Sequence, residues 1–291
     1  MNRLHCLLAA IVAAFPSVAF ALDPGTARGE LVVDGDKVAL THSYALRQDN
    51  AEGLLDGPEL RILLSDRELS TDLLAGPVLG ELDQLARQGG VKGVLLRVDT
   101  VRRPDAVRGT ILHAPRDPRL SLPFFTRSGS GAGFKRFELG DNRVVGEVEG
   151  APDDQPAFPD TPVYGYQASF SAPIFEDRKV TATLKGREAR ESAPAKAFLA
   201  FEKLLREGDL QKIRAAVPPS RWREMEQHVA QVGEAQFKAQ VREMVPPTAT
   251  REKQIERVVV RGDRATVIYK EVGAKGFALL VKDGGVWKIA G

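Results

Sequence analysis

The chain has 291 residues, with 41 Lys+Arg against 39 Asp+Glu, a formal net charge of +2 and a single cysteine. A charge so near balance supplies no electrostatic footprint for nucleic acid, whose phosphates select strongly basic surfaces. One cysteine excludes an internal disulfide, and a hydrophobic content of 43% over this length supports one large domain or two ordinary ones held by packing alone.

Residues 1–21 carry the three-part pattern of a cleavable secretory signal. Arg3 supplies the positive start, Leu7 to Val18 is almost wholly apolar, and Ala19-Phe20-Ala21 puts small residues at the cleavage positions. The apolar run is short against the roughly 20 residues that a membrane-spanning helix needs, and Asp23-Pro24-Gly25 follows it closely. Cys6 stands at the beginning of that run, where lipoprotein processing cannot use it, and it departs with the leader. Losing Arg3 lowers the 41 basic residues to 40, against 39 acidic ones. The expected protein is therefore soluble, periplasmic or secreted, and without a membrane span after cleavage. A disulfide-free exported chain fits a bacterial periplasm better than an animal secretory route. The clusters Arg102-Arg103 and Arg221-Trp222-Arg223 are offset by nearby acids, so no nucleic-acid partner is expected.

From Gly29 to about Leu184 the apolar residues alternate with period two between turn signals, which predicts strands. Leu31 and Val33 lead into Asp34-Gly35, a two-residue hairpin turn, and Val38, Leu40, His42 and Tyr44 are expected to share one face of the return strand. Further strands are predicted at Leu60 to Leu64, Val94 to Val98, Gly109 to His113, Phe134 to Leu139, Val144 to Val148, Tyr164 to Phe170 and Val180 to Leu184. One helix interrupts them, with Val78, Leu82 and Leu85 at helical spacing and a stop at Gly89-Gly90. Pro152, Pro156, Pro159 and Pro162 mark an exposed, stiff connection.

A charged stretch, residues 185–194, reads as a linker, with Ser192 capping the helix after it. That helix carries Phe198, Phe201, Leu204 and Leu205, and Gly208-Asp209 ends it and opens another with Leu210, Ile213 and Val217. Pro218-Pro219 breaks the run. Ser220 is then placed to cap a third helix, striped by Trp222, Met225, Val229 and Val232, and Phe237, Val241 and Met244 continue the stripe to Pro246-Pro247. Period two returns at Ile255 to Val260, Ala265 to Glu271, Gly276 to Lys282 and Val286 to Ile289, with turns at Gly262-Asp263 and Asp283-Gly284-Gly285. The predicted architecture is a mainly-β sandwich or barrel with one helix over residues 22–184, followed over 195–291 by an α+β unit whose helices pack on a curved antiparallel meander.

The order of these last elements, the opening Phe198-Leu-Ala-Phe201-Glu-Lys-Leu-Leu205-Arg-Glu-Gly-Asp209 and the closing Asp283-Gly-Gly-Val-Trp287-Lys-Ile289 resemble small exported members of the nuclear-transport-factor-like (cone-shaped, cystatin-like) superfamily. The resemblance covers about the last third of the chain. It implies a curved sheet wrapped around a long helix, with a cone-shaped cavity between them that holds a small ligand or another protein. The N-terminal part, through Gly35-Asp-Lys-Val38-Ala-Leu-Thr-His42-Ser-Tyr44-Ala45, resembles exported β-rich proteins and brings no activity with it.

Candidate chemistry is sparse. His42, on a strand face expected to be apolar, and His113, at the end of another strand, form the one conceivable metal pair, but no third ligand at metal spacing accompanies them. Ser128-Gly129-Ser130-Gly131-Ala132-Gly133 lacks the Gly-Lys-Ser/Thr ending and the helix that a phosphate loop needs, so it reads as a hairpin loop and no cofactor is expected. Ser65-Asp66 has no histidine in its segment, and no G-x-S-x-G elbow occurs. Enzymes of the resembling superfamily do acid-base work with polar residues inside the cone, which points to His228, Tyr269 and Glu271 as the acid-base candidates here. Trp222 and Trp287 read as core anchors.

The favoured reading is a non-enzymatic module of the cell envelope that binds a small ligand or a protein. The rivals are an enzyme using the C-terminal cavity and a structural scaffold pairing through a β edge. Processing is directly checkable: expressed in an exporting bacterial host, the chain should accumulate outside the cytoplasm with Leu22 as its first residue, read by N-terminal sequencing, whereas a mature form retaining residues 1–21 would remove the export reading.

Overall fold

The computed structural model describes residues 22–101, 103–114, 124–125, 133–150, 163–271 and 273–290. The leader, residues 128–132 of the glycine-rich stretch and the proline-bearing residues 151–162 lie outside them.

The chain opens with β1 (Thr26–Val33) and β2 (Asp36–Gln48), joined at Asp34-Gly35. Both turn residues have positive φ, 48° and 88°, as the twist-matched hairpin turn requires. Then come β3 (Glu59–Ser65), a single 3-10 turn at Thr71–Leu74, helix α1 (Gly80–Arg87), β4 (Gly93–Asp99) and β5 (Arg103–Leu112). The short β6 (Phe124–Phe125) is followed by β7 (Gly133–Leu139), β8 (Arg143–Gly150) and the long β9 (Tyr164–Glu176). These nine strands form one sheet in the order β6-β5-β4-β3-β2-β1-β9-β8-β7. The sheet curls: β7 comes back beside β5, and the end of β9 also runs parallel to Ala45–Arg47 of β2. One face of β1 to β5, β8 and β9 closes on a single core with Leu31, Leu40, Ile62, Leu96, Ile111, Val148 and Phe170 at its centre. This half is one curled, mainly antiparallel sheet.

The hairpin face does not run as predicted. Thr26 pairs with His42 while Gly29 pairs with Leu40, so β1 has one more residue than β2 across this stretch. Beyond it the phase of β2 changes. Val38, Leu40 and Ala45 enter the curled core, while Tyr44 and Leu46 join a second apolar layer on the outer face. That layer also holds Leu63, Leu74, Leu82, Ala86, Leu95 and Leu112, so α1 and the 3-10 turn cover the sheet from outside. β3 is buried on both faces over its whole length.

The second sheet has five strands in the order β10-β11-β12-β13-β14. Its first member, β10 (Ala182–Lys185), is the strand expected at Val180 to Leu184 as the last of the N-terminal set. It pairs instead with β11 (Ile255–Arg261), through Ala182 opposite Val260. The supposed linker is folded as well: Gly186–Glu191 forms α2, whose Ala189 is completely buried. Helices α3 (Ala193–Glu207), α4 (Leu210–Ala216), α5 (Pro219–Val232) and α6 (Glu234–Met244) follow. Ser192 caps α3 by accepting from the Ala195 N–H at 3.3 Å, and Gly208 (φ 72°) closes it in the left-handed conformation. Ser220 does not cap α5, because the helix begins one residue earlier with Pro219 in its first turn. The unpredicted α7 (Thr248–Gln254) fills the space before β11, and β12 (Arg264–Glu271), β13 (Ala274–Asp283) and β14 (Val286–Ile289) complete the meander. Phe198, Phe201, Ile213, Val258, Val267, Ala278 and Leu280 fill the layer between helices and sheet, with Trp222 and Trp287 packed against it as anchors.

Phe170 is fully buried at the centre of the curled sheet. Phe170→Ala should cost about 3–5 kcal/mol, read as a lowered urea midpoint with an unchanged slope.

Candidate functional site

Among the described residues, two buried arginines build the most developed site. Arg61, fully buried on β3, donates from Nε to Glu59 Oε1 at 2.7 Å. Its Nη1 donates to the carbonyls of Leu74 (2.8 Å) and Gly76 (2.6 Å), and its Nη2 to that of Pro77 (3.3 Å). Burial pushes the Arg61 guanidinium down from its ordinary value, and the Glu59 carboxylate partly restores it. Glu59 also receives Arg97 at 3.1 Å. The effect is mechanical: the segment leading into α1 is pinned to the outer face of the curled sheet by its own backbone.

The second arginine joins the two sheets. Arg261, at the end of β11, donates from Nε to Glu52 Oε1 at 2.8 Å and from Nη2 to Asp49, both in the connection between β2 and β3. Nη1 reaches the carbonyl of Arg178, and Asp177 stands 3.9 Å away. Arg257 donates to the Glu52 carbonyl and lies so close over Gly53 that a Cβ there would meet its Nη2 at 2.8 Å. Arg178 in turn bridges Asp72, at 3.0 Å, and Asp263. Burial raises the Asp49 carboxyl, but hydrogen bonds from Arg261 and the Ala51 N–H outweigh it and leave the group below its ordinary value. The carboxylates around Arg261 hold its guanidinium above the ordinary value in spite of burial.

A cleft of about 270 Å³ opens beside this knot. Its floor is the sheet face turned away from the helices, with Val259 of β11, Arg264 and Thr266 of β12, and Leu279 and Val281 of β13. Its walls are Pro77–Gly80, which follow directly on the carbonyls held by Arg61, and the first turn of α5 with Ser220 and Arg221. A wider groove of about 700 Å³ shares Pro77, Val78, Leu79 and Gly80 and continues past Leu54, Leu82 and Leu95 to Phe277 and Lys275. The helix-facing residues of the meander belong to a packed apolar cluster, and the cleft lies beside Val259, Thr266, Leu279 and Val281.

The acid-base candidates are only partly brought together. Tyr269 stacks on Phe198 with ring centroids 5.2 Å apart, Arg251 lies 4.0 Å over the Tyr269 ring, and Arg251 meets Glu271 at 3.5 Å. The centre of this group is the buried pair of Arg251 with Glu202 at 2.9 Å. Burial holds the Tyr269 hydroxyl and the Glu202 carboxyl above their ordinary values, with Arg251 opposing both shifts. Gly276 is required opposite Tyr269, since a Cβ would fall 2.1 Å from the ring. His228 stands apart on an exposed position of α5, edge-on to Phe237 at 6.0 Å.

Neither histidine of the metal pair has the other within reach. Pairing places His42 opposite Ser65, Ser65 opposite Gly93, and Gly93 opposite Leu112, the neighbour of His113. Three strand spacings, about 14 Å, therefore separate them. His42 Nδ1 contacts the Thr41 hydroxyl at 2.9 Å, and His113 Nδ1 the Ala114 carbonyl at 2.8 Å. Among the described residues no group of three or more metal-ligating side chains assembles. Ser65 donates to the Arg67 carbonyl at 2.7 Å, and Asp66 accepts from the Lys92 N–H at 3.0 Å, so both brace a turn.

Comparison with protein-family models, with curated proteins and with solved structures finds no match for the chain.

The knot ties stability to acid. Asp49 has a depressed folded-state value, so its contribution is complete above the ordinary carboxylate range and is lost as pH falls through and below it. Arg261→Met should cost about 3–5 kcal/mol at pH 7, because Glu52 would remain buried without its partner. In urea titrations the difference between wild type and variant should shrink below about pH 4; a difference constant from pH 7 to pH 3 would contradict this assignment.

Proposed function

We propose that the protein is an exported, non-catalytic binding module of the cell envelope and that the inter-sheet cleft holds its ligand. The observation that carries this reading is the construction of the cleft. Its floor belongs to one sheet and its main wall to a segment clamped on the other, and both are fixed by buried arginines before any ligand arrives. A preformed concavity that combines apolar surface with convergent polar groups is the usual form of a small-molecule site, and this lining sets charged side chains among apolar ones. The leader-like residues 1–21 support export. The helices on one face of a five-stranded meander support retaining the nuclear-transport-factor-like resemblance for the C-terminal unit, with the ligand on the opposite sheet face.

Gly80 supplies a clean test. It lines both cavities, and a Cβ built on it meets nothing within 4 Å. Gly80→Trp should fill the cleft and leave the fold intact. Native mass spectrometry of protein isolated from its own envelope extract under non-denaturing conditions should show a bound small molecule on the wild type and none on the variant, with identical circular dichroism. An empty wild type, or equal occupancy in both, would overturn the reading.

A further inference from the structure

We infer that the ligand is an anionic amphiphile, a single alkyl chain carrying a carboxylate or phosphate head, seated with its head at Arg264 and its chain along the groove toward Phe277. The inference rests on the cleft being the binding site and adds the chemistry of what fills it.

The head is placed by one guanidinium in a lining that holds four arginines and five carboxylates, of which Glu81, exposed, has no ion pair among the described residues. The other three arginines of the cleft are neutralised within the protein: Arg178 by Asp72 and Asp263, Arg221 by Glu224 at 2.6 Å, and Arg261 by Glu52 and Asp49. Arg264 also lines the cleft, is half-buried, and has no carboxylate at ion-pair distance among the described residues. A half-buried guanidinium without a partner is a fork of donors suited to a carboxylate or phosphate. Ser220 brings a hydroxyl to the same space.

The floor and walls place the chain. Pairing sets Arg264 opposite Val281 on β13, and Val281, Leu279 and Phe277 follow one another along one face of that strand. Leu54, Val78 and Leu79 face them across the groove. From Val281 to Phe277 the strand rises about 13 Å, and about 20 Å to Lys275. The strand-face path from Val281 to Phe277 is apolar and begins at a cation, which fits an extended alkyl chain. Lys275, at the far mouth of the groove, is exposed and leaves the exit open to solvent.

A free fatty acid and a lysophospholipid present the same chemistry, so both are probes. Isothermal titration of the purified chain should show saturable binding of palmitate or of palmitoyl-lysophosphatidylglycerol, below their micellar concentrations, and about tenfold weaker binding of hexadecanol. Arg264→Gln should weaken the anionic probe about tenfold and leave hexadecanol unchanged. Leu54→Asp should weaken all three. Palmitate alone binding assigns the free acid as the source, and the lysolipid alone assigns the lipid. Hexadecanol binding as tightly as palmitate, or indifference to Arg264→Gln, would overturn the anionic head while leaving the cleft reading in place. No saturable binding of either anionic probe would overturn the amphiphile. Binding unaffected by Gly80→Trp would overturn both the amphiphile assignment and the cleft as its seat.

Discussion

The arrangement of this protein depends on one buried guanidinium. Arg261 sits at the end of a strand in the five-stranded sheet, and its carboxylate partners, Glu52 and Asp49, lie in a connection of the curled sheet more than 200 positions earlier. Such a group is costly to bury and is tolerated only when nearly every donor is satisfied. Here the satisfaction comes from both directions, with Arg178 contributing a carbonyl to Arg261 and its own guanidinium to Asp72 and Asp263. The two sheets are therefore related by a set of directional bonds, which specify a mutual position where apolar contact alone would permit sliding.

The cleft follows from that specification. The knot holds the sheets together at one place, and Arg61 independently pins residues 74–77, so the space between Pro77–Gly80 and β13 is bounded by two fixed surfaces. Neither clamp is an ion pair between exposed side chains, which would contribute little. Both work through buried guanidinium groups that bind backbone carbonyls as well as carboxylates, and a carbonyl cannot rotate away without moving the main chain. Pre-organisation of this kind lowers the ordering cost of binding.

Most local structure was legible in the sequence, and most long-range structure was not. The Asp34-Gly35 hairpin, the Ser192 and Gly208 boundaries of α3 and the C-terminal meander appear as read, since turn chemistry, capping and period two are properties of neighbouring residues. Sheet membership is a property of distant ones. The period-two signal around Val180 to Leu184 is real, but nothing in it says that the strand pairs with residues 257–260. The spacing of β2 puts His42 on the core face because the pairing irregularity opposite it leaves no mark on that spacing. The site itself was missed. Its two clamps carried one readable signal each, an arginine inside the otherwise apolar Leu60–Leu64 run and another ending the Val258-Val259-Val260 run, where a buried cation must find partners elsewhere. Tyr269 and Glu271 both contact Arg251, whose pairing with Glu202 spacing could not supply.

Burial on both faces of β12 sets a limit on how this chain can be divided. Ala265 and Val267 face the helices, while Thr266 and Ile268, also buried, face the other way together with Val259. A fragment cut where the composition suggests a boundary would carry that second apolar face into water, beside Phe277, Leu279 and the unmatched Arg257 and Arg261. The charged stretch after residue 185 resembles a seam in composition only. The two halves are tied across it by the bonds of Arg257 and Arg261 to residues 49–52.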